Sequence, residues 1–194
     1  MHPVLLVHGI NDTGARFKKM RDVLETRGFR SVHAINLTPP DGSITLEAMG
    51  EQVIDGVRAC RDVAGSQMID IVAFSMGALA ARSALHDPDV RSSVRRFVSI
   101  SGPHHGTVNA HLSWKSGTRQ MRPGSRFLRD LEMDAERWGE IEVYSFWSPF
   151  DLVVIPARSS VLEGAQNRSF LVAVHHWMLS DDRVIAAVVQ ALSE

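Results

Sequence analysis

Short apolar segments rich in β-branched residues alternate along the chain with longer segments in which apolar residues recur at helical spacing. The short segments predict strands at residues 4–8, 31–36, 68–74, 96–100, 141–146 and 169–174. The longer segments predict helices at about 15–27, 44–63, 76–86, 125–137 and 181–193. Strands that alternate with helices are typical of βαβ units. The pattern therefore predicts the α/β class: a three-layer sandwich around a mainly parallel sheet of about six strands.

The organisation of the chain leaves little room for a second domain. It has 194 residues and shows neither an internal repeat nor a shift to linker-like composition, so we expect one domain over residues 1–194. Residues 101–124 collect glycine, proline, serine and histidine without a sustained period. Long irregular segments of compact domains are usually functional. We therefore expect the stretch from about 103 to 138 to be an insertion that flanks the functional site.

Composition and charge narrow the choice of partners and compartment. Hydrophobic residues make up 44% of the chain, charged residues 22%, and the net charge is -1. This balance shows no bias toward nucleic acid or toward an acidic membrane surface. No apolar run approaches the ~20 residues of a transmembrane helix, and the first residues do not resemble a signal peptide. The chain as given predicts a cytoplasmic protein, although a secreted chain trimmed of its signal peptide would look the same.

The candidate chemistry starts at Ser75, which stands between a predicted strand and a strongly helix-forming segment. The small residues Ala73 and Gly77 lie two positions before and two positions after it. In a nucleophile elbow the strand-to-helix turn is so tight that larger flanking side chains would meet neighbouring backbone, and the serine hydroxyl is thrust outward. The alternative role for Ser75 is an ordinary helix N-cap. The strand before it and the helix after it favour a nucleophile.

Two backbone amides near Ser75 are candidates for stabilising negative charge on a substrate oxygen. The amide of Met76 lies at the start of the predicted helix, where the helix dipole favours an anion. The first predicted strand ends at His8 and Gly9, and the loop after such a strand supplies a second amide in sites of this kind. Gly9 lets the chain bend, so Ile10 is the expected donor. His8 is expected to support this loop rather than to act as a base.

With these motifs the chain resembles the small bacterial lipases of the α/β-hydrolase superfamily, the triacylglycerol lipase and esterase group that has Ala-x-Ser-x-Gly in place of Gly-x-Ser-x-Gly. The matching segments are Val-His-Gly-Ile at 7–10, Ala-Phe-Ser-Met-Gly-Ala at 73–78, Ser-Gly-Pro-His-His-Gly-Thr at 101–107, Asp-Leu-Val-Val at 151–154 and a late histidine. They follow the family's order. The resemblance implies lipolytic ester hydrolysis without an organic cofactor. It also implies that Ser75, Asp151 and the late histidine form a catalytic triad, with Ile10 and Met76 as oxyanion amides.

The acid is expected on a loop after a late strand, because triad residues of this fold follow the order serine, aspartate or glutamate, then histidine. Asp151 lies in the loop that follows the predicted strand 141–146. An aspartate beside proline and serine is often only a turn former. However, the other candidates Asp130, Asp134 and Glu136 lie on a predicted helix. Asp151 is therefore the expected acid.

The base is one of two adjacent histidines, His175 and His176, which follow the last predicted strand. Only one of them can reach Ser75 while Asp151 fixes its tautomer. Counting without gaps along the resembling family favours His175, and His176 is the alternative base.

Other histidines and arginines are assigned plainer roles. His104, His105 and His111 lack the carboxylate or cysteine that would complete a zinc spacing, so we expect no metal site. These histidines are instead expected to support the fold or to contact substrate, and residues 103–107 are expected to form one wall of the active site. The arginines between 119 and 129 predict a solvated basic face, with contact to anionic lipid as the alternative.

Together these residues predict a serine hydrolase that cleaves carboxylic esters through an acyl-enzyme intermediate. A chain of this size leaves no room for a large lid domain, so we expect a minimal α/β-hydrolase fold with an open site. Its expected substrate is an acyl ester or lipid with a short to medium acyl chain. The alternatives are a carboxylesterase or thioesterase for small soluble esters, since fold does not fix substrate, and a non-catalytic binding protein on this scaffold.

Overall fold

Six parallel strands form the sheet in the computed structural model, which describes residues 1–132 and 138–193. In chain order the strands are β1 (Val4–Val7), β2 (Val32–Ile35), β3 (Ile69–Phe74), β4 (Val94–Ile100), β5 (Glu142–Trp147) and β6 (Gln166–Ser169). Across the sheet their order is β2-β1-β3-β4-β5-β6, and every pairing is parallel. The carboxyl ends of all six strands therefore lie at one edge of the sheet.

Helices connect the strands, and their ends follow from local sequence. They are α1 (Lys18–Thr26), α2 (Leu46–Ala64), α3 (Met76–Ala84), α4 (Pro88–Ser93), α5 (Ser116–Gln120), α6 (Arg126–Glu132) and α7 (Asp182–Ser193). Thr45 caps α2, since its hydroxyl accepts a hydrogen bond from the amide of Ala48 at 3.2 Å. The same helix ends at Gly65, whose φ of 59° suits a glycine.

The core divides into two clusters, one on each face of the sheet, because successive strand residues point in opposite directions. Leu5 and Val7 of β1 belong to the cluster that includes α2 and α3. Val4 and Leu6 belong to the cluster that includes α1 and α7. The strands are buried on both faces, which explains why they read as continuous apolar runs. The predicted three-layer α/β sandwich is confirmed.

The predicted elements agree with the structure in the first five strands and differ in the sixth. The prediction of a strand at 169–174 was wrong: β6 is Gln166–Ser169, and residues 170–174 are irregular. All four residues of β6 are exposed at the sheet edge, so backbone pairing with β5 forms this strand without an apolar run. Phe170 and Val172 are buried in the core without belonging to a strand.

The predicted helices agree closely with the helices of the structure, except that part of one prediction falls on residues the structure does not describe. The helix predicted at 125–137 corresponds to α6, and residues 133–137, which include Asp134 and Glu136, lie outside the described residues. The short helices α4 and α5 were not predicted. Within the described ranges, no helix has both the length and the apolar character to cross a bilayer.

Candidate active site

Ser75 forms a strained turn between β3 and α3. It stands alone between the last residue of the strand and Met76, the first residue of the helix, with φ of 53° and ψ of -126°. A positive φ is uncommon for a residue with a side chain and persists only where the surroundings enforce it. Gly77 contributes to that enforcement, because a Cβ there would lie 2.2 Å from the carbonyl oxygen of His8. The elbow therefore needs glycine at this flank.

The loop after β1 lies directly against Ser75. A Cβ at Gly9 would lie only 3.0 Å from the Cβ of Ser75, so the glycine allows this close approach. The buried His8 holds the loop in place: Leu37 N–H donates to His8 Nε2 at 2.8 Å, and Nδ1–H donates to the carbonyl oxygen of Gly9 at 2.7 Å. Both ring nitrogens are thus engaged. His8 has the supporting role that the sequence predicts, and Ile10 follows directly on this braced turn.

Asp151 and His175 form a buried pair at the carboxyl edge of the sheet. His175 Nδ1–H donates to Asp151 Oδ2 at 2.6 Å, and each side chain is only 2% exposed. The other carboxylate oxygen, Oδ1, accepts hydrogen bonds from the amides of Val153 at 2.8 Å and Val154 at 3.0 Å. Asp151 is therefore fixed on one side by its own loop and on the other by the histidine.

Burial and hydrogen bonding have opposite effects on the pKa of Asp151. Burial alone would raise the pKa of Asp151, but the hydrogen bond and charge of His175, together with the two backbone amides, lower it below its ordinary value. The carboxylate is therefore ionised at neutral pH. An ionised acceptor on Nδ1 keeps the proton there and leaves Nε2 of His175 as the basic nitrogen.

That second nitrogen of His175 is buried, and it has no hydrogen-bond partner among the residues that the structure describes. The ring packs against Phe74, the residue before Ser75, with ring centroids 4.7 Å apart. Leaving a buried polar atom unpaired typically costs about 1–3 kcal/mol, so it calls for an explanation. An acceptor beside the elbow is available to a proton donor such as a serine hydroxyl.

His176 is placed differently. Its side chain is exposed, and its ring lies 5.5 Å from the ring of His175 and 5.8 Å from that of Phe74. Within residues 1–132 and 138–193 no hydrogen bond or ion pair joins it to Asp151. Burial, and then the charges of His175 and Arg16, lower the pKa of His176. The structure thus pairs the predicted acid with His175, the favoured of the two histidines.

Three polar side chains that the sequence analysis did not single out hold the loop that carries Asp151, residues 148–155. This is called the acid loop, and residues 170–177, which include His175, are called the base loop. Thr107 Oγ1 donates to the carbonyl oxygen of Val153 at 2.9 Å and accepts from the amide of Ile155 at 3.0 Å. Asn109 Nδ2 donates to the carbonyl oxygen of Leu152 at 2.9 Å. Ser148 Oγ donates to the carbonyl oxygen of Val172 at 2.6 Å and so ties the acid loop to the base loop. In the sequence, the only signal for these contacts is Ser148, a turn-forming residue directly before Pro149.

The segment 103–107 was predicted to form one wall of the site, and its first histidine has a supporting position in the interior. His104 is fully buried, with Nε2 2.8 Å from Ser99 Oγ and Nδ1 3.4 Å from Arg82 Nη1. Burial, and then the charge of Arg82, hold the pKa of His104 well below its usual range, so the ring is neutral. Within this segment His104 thus packs into the protein interior, whereas Thr107 bonds to the loop that carries Asp151.

Exposed apolar side chains surround the edge where the site lies. Most large hydrophobic residues that are exposed in the described structure belong to three loops that follow β4, β5 and β6. These are Val108, Leu112, Trp114, Phe150, Leu152, Val153, Leu171, Val174 and Trp177. The hydrogen bonds of Thr107, Asn109 and Ser148 join the same loops. These nine residues are called the apolar collar. The sequence analysis did not predict it: seven members lie in predicted loops, whereas Leu171 and Val174 lie in the predicted strand 169–174.

Within the described ranges, no group of three or more histidine, cysteine, aspartate or glutamate side chains is placed to hold a metal ion. His105 lies at the surface, with Nδ1 3.2 Å from Glu132 Oε1 and Nε2 3.1 Å from the carbonyl oxygen of Val161. His105 therefore joins two surface segments, one at Glu132 and the other at Val161.

Two known groups of proteins resemble this chain in sequence. A family model described as palmitoyl protein thioesterase matches residues 3–150. A triacylglycerol lipase of Pseudomonas fragi is 31% identical over 112 residues, which is 55% of this chain and 36% of that protein. The match thus spans about a third of the length of that lipase.

Solved structures show the same fold at low sequence identity. Lipase B of Aspergillus fumigatus has a TM-score of 0.82 at 21% identity and covers 100% of this chain, which spans 52% of that protein. A mature lipase of Bacillus licheniformis has a TM-score of 0.79 at 15% identity, covering 98% of this chain and 91% of its own. The α/β-hydrolase fold is therefore shared with lipases, including one whose chain is nearly matched in full.

Proposed function

The chain belongs to the palmitoyl protein thioesterase family, and from this premise we propose that it is a serine hydrolase that cleaves lipid-type carboxylic esters through an acyl-enzyme intermediate. The substrate is an ester with a short to medium acyl chain. The reaction needs no organic cofactor or metal. Ser75 is the nucleophile, His175 the base and Asp151 the acid.

One observation carries the proposal: a buried Asp151–His175 hydrogen bond of 2.6 Å lies beside a serine held at φ of 53° between a strand and a helix. An ordinary N-cap serine has extended backbone and accepts a hydrogen bond from its helix. Ser75 has neither the extended backbone nor a side-chain capping bond. Its conformation suits a side chain directed away from the helix, where a base can reach it.

The reaction follows from these groups. Ser75 Oγ attacks the ester carbonyl carbon while Nε2 of His175 takes the hydroxyl proton, and the alcohol leaves with that proton. Water, activated by the same nitrogen, then attacks the acyl-enzyme and releases the carboxylic acid. Asp151 remains ionised throughout and stabilises the imidazolium, which its lowered pKa favours.

The amides of Ile10 and Met76 are proposed to stabilise the oxyanion. Met76 begins α3, and Ile10 follows the glycine that packs against the Cβ of Ser75. Such amides act strongly because they are fixed before the charge develops. Removing one oxyanion donor in comparable sites lowers turnover on the order of 10²–10³-fold.

The acyl chain is proposed to lie along the exposed apolar side chains of the acid and base loops, above all Phe150, Leu152 and Trp177. These side chains flank the pair formed by Asp151 and His175. Each methylene that leaves water contributes about 0.8 kcal/mol. An open surface buries only part of a chain, and the gain therefore levels off at medium length.

The test is a series of p-nitrophenyl esters from acetate to palmitate, measured in free solution. We expect kcat/KM to rise through the short acyl chains and to level off at medium ones. An optimum at the palmitate end would contradict the open surface. Absence of hydrolysis along the whole series would favour the non-catalytic alternative.

A thioesterase is the second candidate, favoured by the description of the matching family model. The same serine, histidine and amides serve both reactions, since oxygen esters and thioesters pass through similar tetrahedral intermediates. Matched oxygen esters and thioesters with one acyl chain separate the two. A kcat/KM for the thioester that clearly exceeds the value for the p-nitrophenyl ester would make the thioesterase the better description.

A further inference from the structure

The segment that follows β4 carries an exposed apolar tip. Leu112 and Trp114 are 85% and 84% exposed, more than any other large hydrophobic side chain in the described ranges. They lie at the end of a 3-10 turn, Val108–Leu112, and just beyond it. Exposed aromatic and aliphatic side chains that stand together mark interaction sites rather than ordinary surface. The proposed hydrolysis does not require this tip.

The same segment is strongly basic. Residues 111–129 contain five arginines and lysines and no aspartate or glutamate, although the whole chain has a net charge of -1. Lys115 pairs with Asp41 at 2.7 Å. Arg122 donates to the backbone carbonyls of Ala110 and Ser113, so no carboxylate neutralises it there, and its guanidinium lies 5.5 Å from the ring centroid of Trp114. Positive charge thus lies beside the apolar tip.

An open cavity of about 700 Å³ lies next to this tip, lined in part by Arg119, Arg122 and Arg126. Among the described residues the guanidinium of Arg119 has no hydrogen-bond or ion-pair partner, and that of Arg126 lies 3.7 Å from the carboxylate of Asp130 with its side chain largely in water. Two carboxylates, Glu47 and Asp130, also line the cavity, and Glu47 accepts a hydrogen bond from Gln120. The arginines outnumber the carboxylates, so the cavity suits an anion.

We propose that this segment docks on the surface of an anionic phospholipid membrane. A phosphate headgroup enters the cavity between Arg119 and Arg126, while Leu112 and Trp114 insert among the upper acyl carbons. Tryptophan prefers this boundary because one end of its ring system is apolar and the other is polar. Basic side chains add electrostatic attraction to an anionic leaflet.

The combination of features argues for a lipid surface over a protein partner. An apolar tip alone fits any hydrophobic partner, whereas an apolar tip bordered by a cationic cavity matches the layered chemistry of a membrane, with acyl chains beneath phosphates. Docking in this way turns the carboxyl edge of the sheet, which carries Ser75, toward the lipid. The binding itself does not depend on hydrolysis.

The experiment is co-sedimentation of the intact protein with vesicles of phosphatidylcholine, with and without phosphatidylglycerol. We expect partitioning only onto the vesicles that contain phosphatidylglycerol, and weaker partitioning as salt rises. Arg119→Gln and Arg126→Gln are each expected to lower the partition coefficient roughly fivefold. Leu112→Ser and Trp114→Ser are each expected to lower it about tenfold or more.

Matched controls lie at the opposite edge of the sheet, where Arg30 is exposed before β2 and Val63 is 75% exposed near the end of α2. Arg30→Gln and Val63→Ser are expected to leave partitioning unchanged. All variants are also assayed on a soluble ester, where unchanged turnover shows an intact fold and keeps this test separate from that of the proposed function. Equal binding to both vesicle types, or equal losses in the controls, would overturn the proposal. So would a dimer that Trp114→Ser dissociates.

Discussion

The elbow at Ser75 and the loops that carry Asp151 and His175 achieve fixed geometry by different means. Steric contacts fix the elbow, because it lies between two regular elements and a Cβ at Gly77 would clash with the carbonyl oxygen of His8, directly after β1. The acid and base loops are irregular, and hydrogen bonds from Thr107, Asn109 and Ser148 hold them. The elbow is therefore defined by a few neighbouring residues, whereas the acid–base pair depends on contacts from distant parts of the chain.

This difference separates two kinds of mutational effect. A change in the elbow acts on the reacting atom or on the folding of its turn. A change in the loops first alters how the pair is positioned, so it affects turnover by degrees. The predictions below test this distinction, from the largest expected effect to the smallest.

Ser75→Ala is expected to keep the fold and to lower turnover on a p-nitrophenyl ester by roughly 10⁶-fold, because the attacking atom is removed. Stopped assays with long incubation measure the residual rate, and circular dichroism checks the fold. Retention of more than a few per cent of the activity would remove Ser75 from its role.

His175→Ala is expected to lower turnover nearly as far, since serine and histidine act as one unit. His176→Ala, its natural control, is expected to reduce turnover only modestly, because the ring of His176 is exposed and Asp151 pairs with its neighbour. Steady-state kinetics of the two variants in parallel decide between them. The reverse ranking would assign the base to His176.

Asp151→Asn is expected to lower turnover by up to ~10⁴-fold while the protein stays folded, because an amide at this position favours the wrong tautomer of His175. The carboxylate has a lowered pKa, so its ionised form stabilises the folded state above the ordinary pKa of aspartate, and this stability is lost as pH falls through the lowered value. Urea unfolding of the variant and the parent between about pH 5 and pH 2 measures this loss. If the free energy of unfolding of the parent falls with pH no more steeply than that of the variant, the lowered pKa does not belong to Asp151.

Thr107→Val tests the hydrogen-bonded loops directly. It removes the hydroxyl that joins Val153 and Ile155 and is expected to lower stability by about 1–3 kcal/mol and turnover moderately, by much less than the triad changes. Thr26→Val is the matched control, since its hydroxyl donates to the carbonyl oxygen of Asp22 at the surface of α1. Equal effects of the two substitutions would mean that Thr107 does not position the acid loop.

The smallest effect is expected from the physical state of the substrate. Because residues 1–132 and 138–193 form no large lid, a short-chain triglyceride should be hydrolysed in free solution, with at most a modest rise in rate once the substrate forms an emulsion. Initial rates across the solubility limit measure this rise. Activity that appears only above the limit would indicate that residues 103–138 close over the site.

Local signals in the sequence were enough to predict the elbow, because strand, serine, small flanks and helix are contiguous around Ser75. They were also enough for five of the strands, whose two buried faces require unbroken apolar runs. The sixth strand was misplaced because its four exposed polar residues pair with β5 only through their backbone. The roles of His104 and Thr107 depend on partners such as Ser99 and Val153 that come together only in the fold.

The exposed apolar collar was equally hidden from sequence reasoning, since an apolar residue in a loop is buried or exposed according to what packs over it. Leu162 of the late loops is buried, whereas Leu152 and Leu171 are exposed. Hydropathy does not distinguish these three leucines. Their exposure depends on the neighbouring loops, and it bears on substrate rather than on fold.

The account is tested most directly by labelling with a fluorophosphonate, which reacts with a serine only when a base activates it and an oxyanion site stabilises the adduct. Mass spectrometry of the digested protein should find one adduct per chain, on the peptide that contains Ser75. Ser75→Ala should abolish it, and His175→Ala should slow it strongly while His176→Ala leaves it fast. An adduct on another serine, or labelling that survives Ser75→Ala, would contradict the proposed catalytic site.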